Sequence, residues 1–396
     1  MSEISGVSTS NINNVDGFYT TQGGSGLTAN SLTDNGTQLY GTSTVWSNPD
    51  VTRAFAVSPA FTTKSFVKIA TRPNSYQFFA IATDGTLWYW SASSTYMSTG
   101  SFTIDSDWHQ YGSDTDWTDI TGGLTTFGAV KGGNIMFLGD GSRRMRGDGS
   151  TSTVSNWTTV NSSGDWVRIK HGTYHAWAIN SSGEAYSTGY GYDYQTGLGT
   201  TSTIDTFTRE QNSLTNIVDV SVGRRCSMLR NSSGDVYFTG GNGNGYAGPK
   251  ITSTSSINGP TLAVDSVDNY SCAVLGDFSY DGGCHIDSNG YLRFHGEGSH
   301  YLNPGGGTTD RKGSSSGYQV TTAGTGWTYF SALAHDVTST FFGIAVNSSG
   351  ELWLGGSSSG SMRDTFGLST STTTWVNLRD GVTAAAHGYN SQLVAG

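Results

Sequence analysis

The chain has 396 residues and a formal net charge of −10 at pH 7, and charged residues make up only 13% of it. Glycine accounts for 56 residues, and no segment shows the 3.6-residue apolar period of an amphipathic helix. The acidic balance argues against a nucleic-acid partner or an anionic membrane surface, because both are bound through basic faces. No segment approaches the roughly 18 consecutive apolar residues of a membrane-spanning helix, so membrane insertion is not expected.

The first segment, residues 1–24, is polar and rich in Gly, Ser and Asn. Phe18 and Tyr19 are its only aromatic residues. A segment of this composition buries too little apolar surface to fold by itself. We therefore predict a polar N-terminal arm over 1–24, either disordered or docked on a partner through these two aromatic residues, followed by one folded domain over 25–396.

A short unit recurs along the rest of the chain. Its clearest copy runs from 165 to 199, with strand-like segments at 166–169, 176–179 and 185–188. A turn glycine, which can adopt the positive φ of a tight hairpin, lies between the last two segments. The equivalent turn glycines are Gly36, Gly85, Gly133, Gly183, Gly234, Gly290 and Gly350. A repeat of about 50 residues with four short strands is typical of the blades of a β-propeller.

The first and last copies of the unit are incomplete. Residues 31–41 contain a turn glycine and an outer strand without a preceding half, and 375–395 contain a first half without its turn. Because a ring of blades must close to cover its last strand edges, we expect the two fragments to pair. The sequence therefore predicts an all-β protein, a seven-bladed β-propeller closed by a blade shared between its N- and C-terminal segments.

The unit resembles the repeat of the RCC1-like family (regulator of chromosome condensation). The resemblance is carried by Trp-Val-Arg-Ile at 166–169, Gly-Thr-Tyr-His at 172–175 and Gln-Thr-Gly-Leu-Gly at 195–199. In the second and fifth copies the histidine is absent, and long loops replace the last of these segments. The resemblance covers about 31–395 and implies a seven-bladed RCC1-like propeller. No exchange residue of the founding member maps onto this chain, so no shared activity is implied.

No combination of residues predicts a catalytic centre or a cofactor. The serine-rich segments 313–317 and 356–360 match a nucleophile pattern by their letters, but that motif requires a strand-to-helix elbow. Four carboxylates of the type that calcium prefers follow one another at Asp105, Asp107, Asp114 and Asp116. Their spacing matches no tight loop, so a solvated turn is favoured over a calcium site. We predict no enzyme activity, no cofactor and no bound metal.

Recurring aromatic and histidine residues are interpreted as structural. Aromatic residues that follow a turn glycine by three positions, and tryptophans at strand starts, are expected to pack between blades because each buries a large area. These are Trp88, Tyr186, Tyr237 and Trp353, and Trp117, Trp166, Trp327 and Trp375. His171, His175 and His387 lie near the expected channel and are interpreted as structural histidines rather than ligands. The Arg-Gly-Asp tripeptide at 146–148 is attributed to chance.

Candidate partner-binding residues lie in aromatic loops. Exposed Tyr and Trp are common interface anchors, and loops on a rigid scaffold carry specificity. One loop contains Tyr190, Tyr192, Asp193 and Tyr194, and another contains Trp108, His109 and Tyr111. The alternative, in which these rings fold back onto their own blades, remains open at this point.

Composition orders the functional hypotheses. Low charge with abundant Ser, Thr, Asn and Gly resembles the surface proteins of bacteriophages and other virions, and the N-terminus carries no recognisable secretion signal. We predict a non-catalytic structural or interaction propeller of a virion, or an extracellular one. It would be present in several copies and would bind other virion proteins or a host surface protein or glycan. The alternatives are a secreted RCC1-like inhibitor or adhesin, a nucleotide-exchange factor, and an enzyme such as a propeller lyase or hydrolase.

Overall fold

The structure is a computed structural model of the chain. It describes residues 18–19, 39–43, 56–57, 66–72, 77–91, 94–97, 100–104, 108–243, 245, 247–248, 250–265, 269–273, 282–286, 289–296, 318–319, 326–334, 341–356, 372–379, 384–388 and 391–395. Strands joined by turns and loops account for these residues, and none of them is helical. The expectation of an all-β protein is confirmed.

The strands form seven sheets, each of which we call a blade. The first three strands are β1 (Phe18–Tyr19), β2 (Leu39–Ser43) and β3 (Ala56–Val57). Blade 1 contains β4 (Phe66–Thr71), β5 (Gln77–Ala82), β6 (Leu87–Ser91) and β7 (Trp108–Tyr111). Blade 2 contains β8 (Trp117–Gly122), β9 (Thr126–Lys131), β10 (Asn134–Gly139) and β11 (Val154–Asn161). Blade 3 contains β12 (Trp166–His171), β13 (His175–Asn180), β14 (Ala185–Gly189) and β15 (Ile204–Arg209).

The remaining complete blades follow the same order. Blade 4 contains β16 (Ile217–Val222), β17 (Cys226–Asn231), β18 (Val236–Gly240) and β19 (Ile257–Val264). Blade 5 contains β20 (Asn269–Ala273), β21 (Gly282–Ile286), β22 (Leu292–Gly296) and β23 (Tyr318–Gln319). Blade 6 contains β24 (Trp327–Ala334), β25 (Phe341–Asn347), β26 (Leu352–Gly356) and β27 (Thr372–Arg379). Each is a four-stranded antiparallel sheet in which neighbours in sequence pair.

The seventh blade closes the ring. Its C-terminal strands are β28 (Ala384–Gly388) and β29 (Ser391–Ala395), and its sheet order is β1-β28-β29-β2-β3. Strand β29 pairs with β2 from Leu39 opposite Ala395 to Ser43 opposite Ser391. Strand β28 also contacts β4 of blade 1. The predicted closure by a blade shared between the two ends of the chain is confirmed.

The predicted boundary of the C-terminal fragment is wrong at its start. Strand β27, which contains Trp375, pairs with β26 as the fourth strand of blade 6, with Val376 opposite Leu354. The closing blade therefore takes only 384–395 from this end. Trp157 holds the same position in β11, the fourth strand of blade 2. Because both first and fourth strands contain a tryptophan followed by branched residues, this local pattern does not separate them.

The first strand of most blades contains a bulge. The pairing register of the first strand shifts after Phe66, Trp117, Trp166, Ile217 and Trp327. A bulge inserts one extra residue and re-aims the side chain that follows it. The residues two positions later in blades 1 to 4 are Lys68, Asp119, Arg168 and Asp219. The repeated bulge therefore places charges of alternating sign at one level of four neighbouring first strands.

These charges link neighbouring blades. The Lys68 ammonium forms a salt bridge with Asp119 Oδ1, and Asp119 is fully buried. Its other carboxylate oxygen, Oδ2, accepts a hydrogen bond of 2.8 Å from the backbone N–H of Ile169. A single carboxylate thus connects the first strands of blades 1, 2 and 3. Asp219 continues the series in blade 4, where the nearby ammonium of Lys170 and guanidinium of Arg168 help to hold its pKa below the usual value, against the effect of burial.

Aromatic and aliphatic side chains fill the space between blades. Trp166 lies in one cluster with Val130 of blade 2 and with the half-buried Tyr186. The Trp166 and Tyr186 rings meet edge to face, with centroids 5.2 Å apart. Phe79 of blade 1 contacts Phe127 of blade 2 in the same way, at 4.8 Å. The structural interpretation of the strand aromatics is confirmed for Trp166 and Tyr186.

Two of the three predicted structural histidines also connect blades. The Nδ1 atom of His171 lies 2.8 Å from Thr126 Oγ1 of blade 2, and the Nε2 atom of His175 lies 2.5 Å from Ser227 Oγ of blade 4. Both imidazoles are buried. Their structural role is confirmed. His387 belongs to β28, and its side chain lies outside the described part of the chain.

These histidines make the fold acid-sensitive. Burial lowers the pKa of both His171 and His175 from 6.5 to about 3. Between pH 6.5 and about 3 the unfolded chain binds protons that the folded chain does not, so the free energy of unfolding decreases as the pH falls through this window. At pH 4 the expected loss is about 3 kcal/mol per histidine relative to pH 7. Urea unfolding at pH 7, 5 and 4 measures this loss.

Replacement of one histidine provides the control for this pH dependence. His175→Gln keeps an amide near Ser227 but removes the titrating group. We expect this variant to be less stable than the native chain at pH 7, yet to lose less stability between pH 7 and pH 4. An identical pH slope in the two proteins would contradict the assignment.

Candidate interaction surface

Two kinds of loop lie at one end of blades 2, 3 and 4. The step loop joins the first and second strands, and the outer loop joins the third and fourth strands. Because consecutive strands are antiparallel, both loops lie at the same end of the sheet, which we call the loop end. In blade 3 the step loop is 172–174 and the outer loop is 190–203.

The outer loops of blades 2 and 3 have the same backbone conformation. Arg144 and Tyr194 both have positive φ, at 62° and 66°, and Gly147 and Gly197 follow at 72° and 68°. The long loop expected in place of the Gln-Thr-Gly-Leu-Gly segment in the second copy therefore adopts the conformation of that segment. The two loops share their glycine positions and their order of buried and exposed residues rather than their letters. Met145 is fully buried in blade 2, as Gln195 is in blade 3.

Three tyrosines form a stack at the loop end of blade 3. The ring centroids of Tyr174 and Tyr190 are 6.2 Å apart, and those of Tyr190 and Tyr192 are 5.0 Å apart. The Tyr190 hydroxyl donates a hydrogen bond of 3.2 Å to the backbone oxygen of Ser142 in the outer loop of blade 2. Tyr192 lies at the outer end of the stack with 58% of its surface exposed. The stack therefore presents one aromatic side chain to solvent on a firmly held base.

Two guanidinium groups lie against the inner end of this stack. The Cζ atom of Arg143, from the outer loop of blade 2, is 4.9 Å from the centroid of the Tyr174 ring. The Cζ atom of Arg224, from the step loop of blade 4, is 5.6 Å from the same centroid. Both distances are within the range of cation–π attraction. Arg143 Nη1 also donates to the backbone oxygen of Thr173, at 2.9 Å.

Asp193 and Tyr194 connect this loop to its neighbours. The carboxylate of Asp193 lies 3.3 Å from Arg225 Nη1 of blade 4. The backbone oxygen of Tyr194 accepts a hydrogen bond of 2.8 Å from Thr239 Oγ1, also of blade 4. Both residues are half-buried. We call the combined set the Tyr–Arg surface, and its members are Arg143, Tyr174, Tyr190, Tyr192, Asp193, Tyr194, Arg224 and Arg225.

Comparison with known proteins decides the fold. No family model matches the chain. Human WBSCR16 is similar over 91% of this chain and 98% of its own, with 14% identity and a TM-score of 0.69. Prp20p from Saccharomyces cerevisiae is similar over 92% of both chains, with 12% identity and a TM-score of 0.67. Yeast RCC1 (Prp20) bound to Kap60 is similar over 99% of this chain and 94% of its own, with 11% identity and a TM-score of 0.68. The fold is an RCC1-like seven-bladed β-propeller.

Arginines of the Tyr–Arg surface were missed by the sequence analysis. Arg143 belongs to a basic run, Arg143-Arg144-Met145-Arg146, whose sequence is typical of a solvated turn. In the propeller the three arginines of this run contact different groups. Arg144 forms an ion pair with Asp205 at 3.4 Å, and Arg146 forms one with Asp148 at 2.5 Å. Arg146 is buried, so the Arg-Gly-Asp tripeptide is not displayed as an exposed motif. Only Arg143 of this run reaches the tyrosine stack.

The second predicted aromatic group lies in a strand rather than a loop. Trp108, His109 and Tyr111 belong to β7, the fourth strand of blade 1, in which Trp108 is opposite Trp90 and Tyr111 is opposite Leu87. Trp108 is buried. The Tyr111 ring stacks on Phe102, with centroids 5.1 Å apart. These rings therefore pack into the propeller, and Tyr111 also reaches Trp117 of blade 2, with ring centroids 6.1 Å apart.

The predicted arm and the predicted carboxylate cluster are only partly described by the structure. Phe18 and Tyr19 form β1, opposite Ala386 and Ala385 of β28, so these two residues of the predicted arm pair with the propeller. The rest of 1–24 lies outside the described residues. Asp114 and Asp116 lie 3.4 and 3.5 Å from the Lys131 ammonium.

Other predicted motifs fall partly or wholly outside the described segments. They are Asp105, Asp107, and the serine-rich stretches at 313–317 and 357–360. Within the segments that the structure covers, no group of three or more His, Cys, Asp or Glu residues could hold a metal ion. A search of the same segments for a helix able to cross a membrane found none.

Proposed function

We propose that this chain is a non-catalytic interaction propeller that binds a protein partner through the Tyr–Arg surface. The observation that carries the proposal is the position of Tyr192, which is 58% exposed at the outer end of a three-tyrosine stack. Tyrosine and arginine are the residues most enriched at the energetic centres of protein interfaces. The base of the stack is held by groups from blades 2 and 4, so little conformational entropy remains to be lost when a partner binds.

The polar pairs of the inner strands favour binding over catalysis. The Nε2 atom of His175 lies 2.5 Å from the Ser227 hydroxyl, and both residues are fully buried. The Ser227 hydroxyl donates its single proton to the backbone oxygen of Gln195, at 2.9 Å, so it accepts from His175 rather than donating to it. A hydroxyl without solvent access and already engaged is a poor nucleophile for any external substrate. We therefore assign this pair to blade cohesion.

Similar structures support a protein as the class of partner. The structure of Prp20p is described together with its binding to Gsp1p and histones, and yeast RCC1 (Prp20) is described bound to Kap60. Identities of 11% and 12% are too low to compare individual residues, so the assignment of the Tyr–Arg surface rests on contacts within this chain. These structures support only the coarser point that a propeller of this fold can serve as a platform for other proteins.

We further propose that the propeller acts on the surface of a virion, in several copies. The support is compositional, with low charge and abundant Gly, Ser, Thr and Asn. In this setting an N-terminal tether joins the particle and the loop end faces outward towards a host protein or glycan. Several weak tethers on one particle give strong overall attachment. A secreted RCC1-like inhibitor or adhesin would use the same surface without a particle.

The surface is tested with the double variant Tyr190→Ala and Tyr192→Ala. We expect particles that carry the variant to keep the normal amount of the protein, measured by gel, and to bind host cells at least about tenfold less well, because two interface aromatic rings are lost. Tyr192→Phe, which keeps the ring, is the matched control and should stay near the native level. Unchanged host binding by the double variant would overturn the Tyr–Arg surface as the binding site.

The setting is tested by the location of the native protein and by removal of residues 2–16. This truncation leaves β1 in place, so we expect a folded propeller that is missing from purified particles. Full occupancy of the particles by the truncated protein would refute the tether. Recovery of the native protein only as a free species inside cells would refute the virion setting without bearing on the binding surface.

A further inference from the structure

Two arginines of the Tyr–Arg surface have no carboxylate partner in the part of the chain that the structure describes. Their neighbours Arg144, Arg146 and Arg225 form ion pairs with aspartates at 3.4, 2.5 and 3.3 Å. Arg143 and Arg224 instead both approach the ring of Tyr174. The surface therefore concentrates two uncompensated positive charges on one aromatic ring, in a chain whose net charge is −10.

The environment of Arg224 makes this arrangement costly in the free protein. Arg224 is only 9% exposed, and its Nε atom is buried without a hydrogen-bond partner. Burial of a charged group is unfavourable unless the group is paired and hydrogen-bonded. The guanidinium of Arg143 approaches the same ring and carries the same charge, so it provides no compensation. A group that is desolvated in advance and lacks a counter-ion is suited to receive one from a ligand.

We propose that the Tyr–Arg surface binds an acidic segment of a protein partner, with a carboxylate of the partner against Arg143 and Arg224. This inference rests on the proposed function and names the chemistry of the partner. The planar fork of a guanidinium matches the two oxygens of a carboxylate, and such charge-assisted contacts are stronger than neutral ones. Tyr192, exposed nearby on the same stack, provides an apolar anchor beside the charged contact.

The geometry of the stack favours a peptide over a sugar or a nucleic acid. Successive tyrosine rings are tilted to one another by 32° and 41°, so they do not form the open row of parallel flat faces that successive bases or sugars would need. A single acidic side chain at the two arginines needs no such row of faces.

The test measures binding of a fluorescent hexaglutamate peptide by anisotropy at 50 and 300 mM NaCl. The native chain is compared with Arg143→Gln plus Arg224→Gln. The control is Lys131→Gln plus Arg209→Gln, which removes the same charge at the opposite end of blades 2 and 3. We expect saturable binding by the native chain, at least about tenfold weaker binding by the first variant, and a change within about twofold for the control. Binding of the native chain should weaken at the higher salt concentration.

Further ligands and variants test the sign of the charge and the chemical class of the partner. Hexalysine should not bind, and sialyllactose and a thymidine oligonucleotide should bind more weakly than hexaglutamate. Arg143→Lys plus Arg224→Lys keeps the charge but loses the fork, so intermediate binding is expected, and this variant replaces the glutamine pair if that pair melts early. Equal losses in the surface and control variants, or tighter binding of the sugar or oligonucleotide, would overturn the proposal. Loss of host binding on removal of Tyr190 and Tyr192 without any effect of the arginines would overturn this inference and leave the proposed function standing.

Discussion

Deletion of residues 384–396 is expected to open the ring and to destabilise the propeller by at least about 5 kcal/mol, which is comparable to the whole stability of a typical domain. The deletion removes β28 and β29, and β29 is the strand that pairs with β2. It also removes the contact of β28 with β4 of blade 1. The face of blade 1 that β28 contacts and the edge of β2 would then meet water, and such edges promote aggregation.

Thermal unfolding and light scattering of the truncated and native chains measure this effect. We expect the truncated chain to aggregate on expression or to melt far below the native chain. The matched control is a circular permutant with the original ends joined and new ends between Thr254 and Ser255, in the outer loop of blade 4. That opening breaks no strand, so the permutant should fold. Native-like melting of the truncated chain would show that the closing blade is dispensable.

The substitution Asp119→Ala is expected to cost about 3–5 kcal/mol, the range found when one partner of a buried ion pair is removed. Asp119 is fully buried, pairs with Lys68 of blade 1 and accepts the backbone N–H of Ile169 of blade 3. Its removal leaves the half-buried ammonium of Lys68 and the buried amide of Ile169 without their acceptor. Burial already lowers the pKa of Lys68, and Asp119 is the largest influence that opposes this effect.

Urea unfolding of single and double variants separates the two parts of this loss. Combination of Lys68→Met with Asp119→Ala should recover part of the stability, because the lone ammonium is gone while the amide of Ile169 still lacks its acceptor. Asp114→Asn removes an exposed carboxylate from its ion pair with Lys131 and should change stability by no more than about 0.5 kcal/mol. If Asp119→Ala is as mild as Asp114→Asn, the buried charges do not hold the blades together.

Much of the fold can be predicted from local patterns. Turn glycines such as Gly183, with φ of 74°, lie where a hairpin must reverse, and their spacing alone indicates the number of blades. Strand assignment failed where two strand positions share one local pattern, as at Trp375. Loop assignment failed at Trp108, where an aromatic run in a long inter-blade segment is the fourth strand. The outer loops of blades 2 and 3 share one conformation, but this is not visible in the sequence. The conformation requires glycine at only a few positions, and the other residues of the two loops differ.

The candidate site shows where sequence reasoning reaches its limit. The exposed tyrosine of the site, Tyr192, was found because a tyrosine-rich loop is visible in the sequence. Its supporting groups were not found, because Arg143, Tyr174 and Arg224 come from three blades and are 31 and 50 residues apart along the chain. Nothing local distinguishes Arg143 from Arg144, yet one reaches the tyrosine stack and the other pairs with Asp205.

By itself the sequence determined the all-β class, the repeat and the closure between the two chain ends. The strands and turns depend on interactions within one hairpin, which neighbouring residues encode. The closure follows from the need to cover the unpaired strand edges of two incomplete copies of the unit, and the sequence shows both copies. The tertiary structure alone decided which charges meet across blades, as Lys68 and Asp119 do, and which arginines have no carboxylate partner among the described residues. These contacts depend on the bulge in each first strand and on the rotation from blade to blade, which bring together residues about 50 positions apart and leave no short-range pattern in the chain.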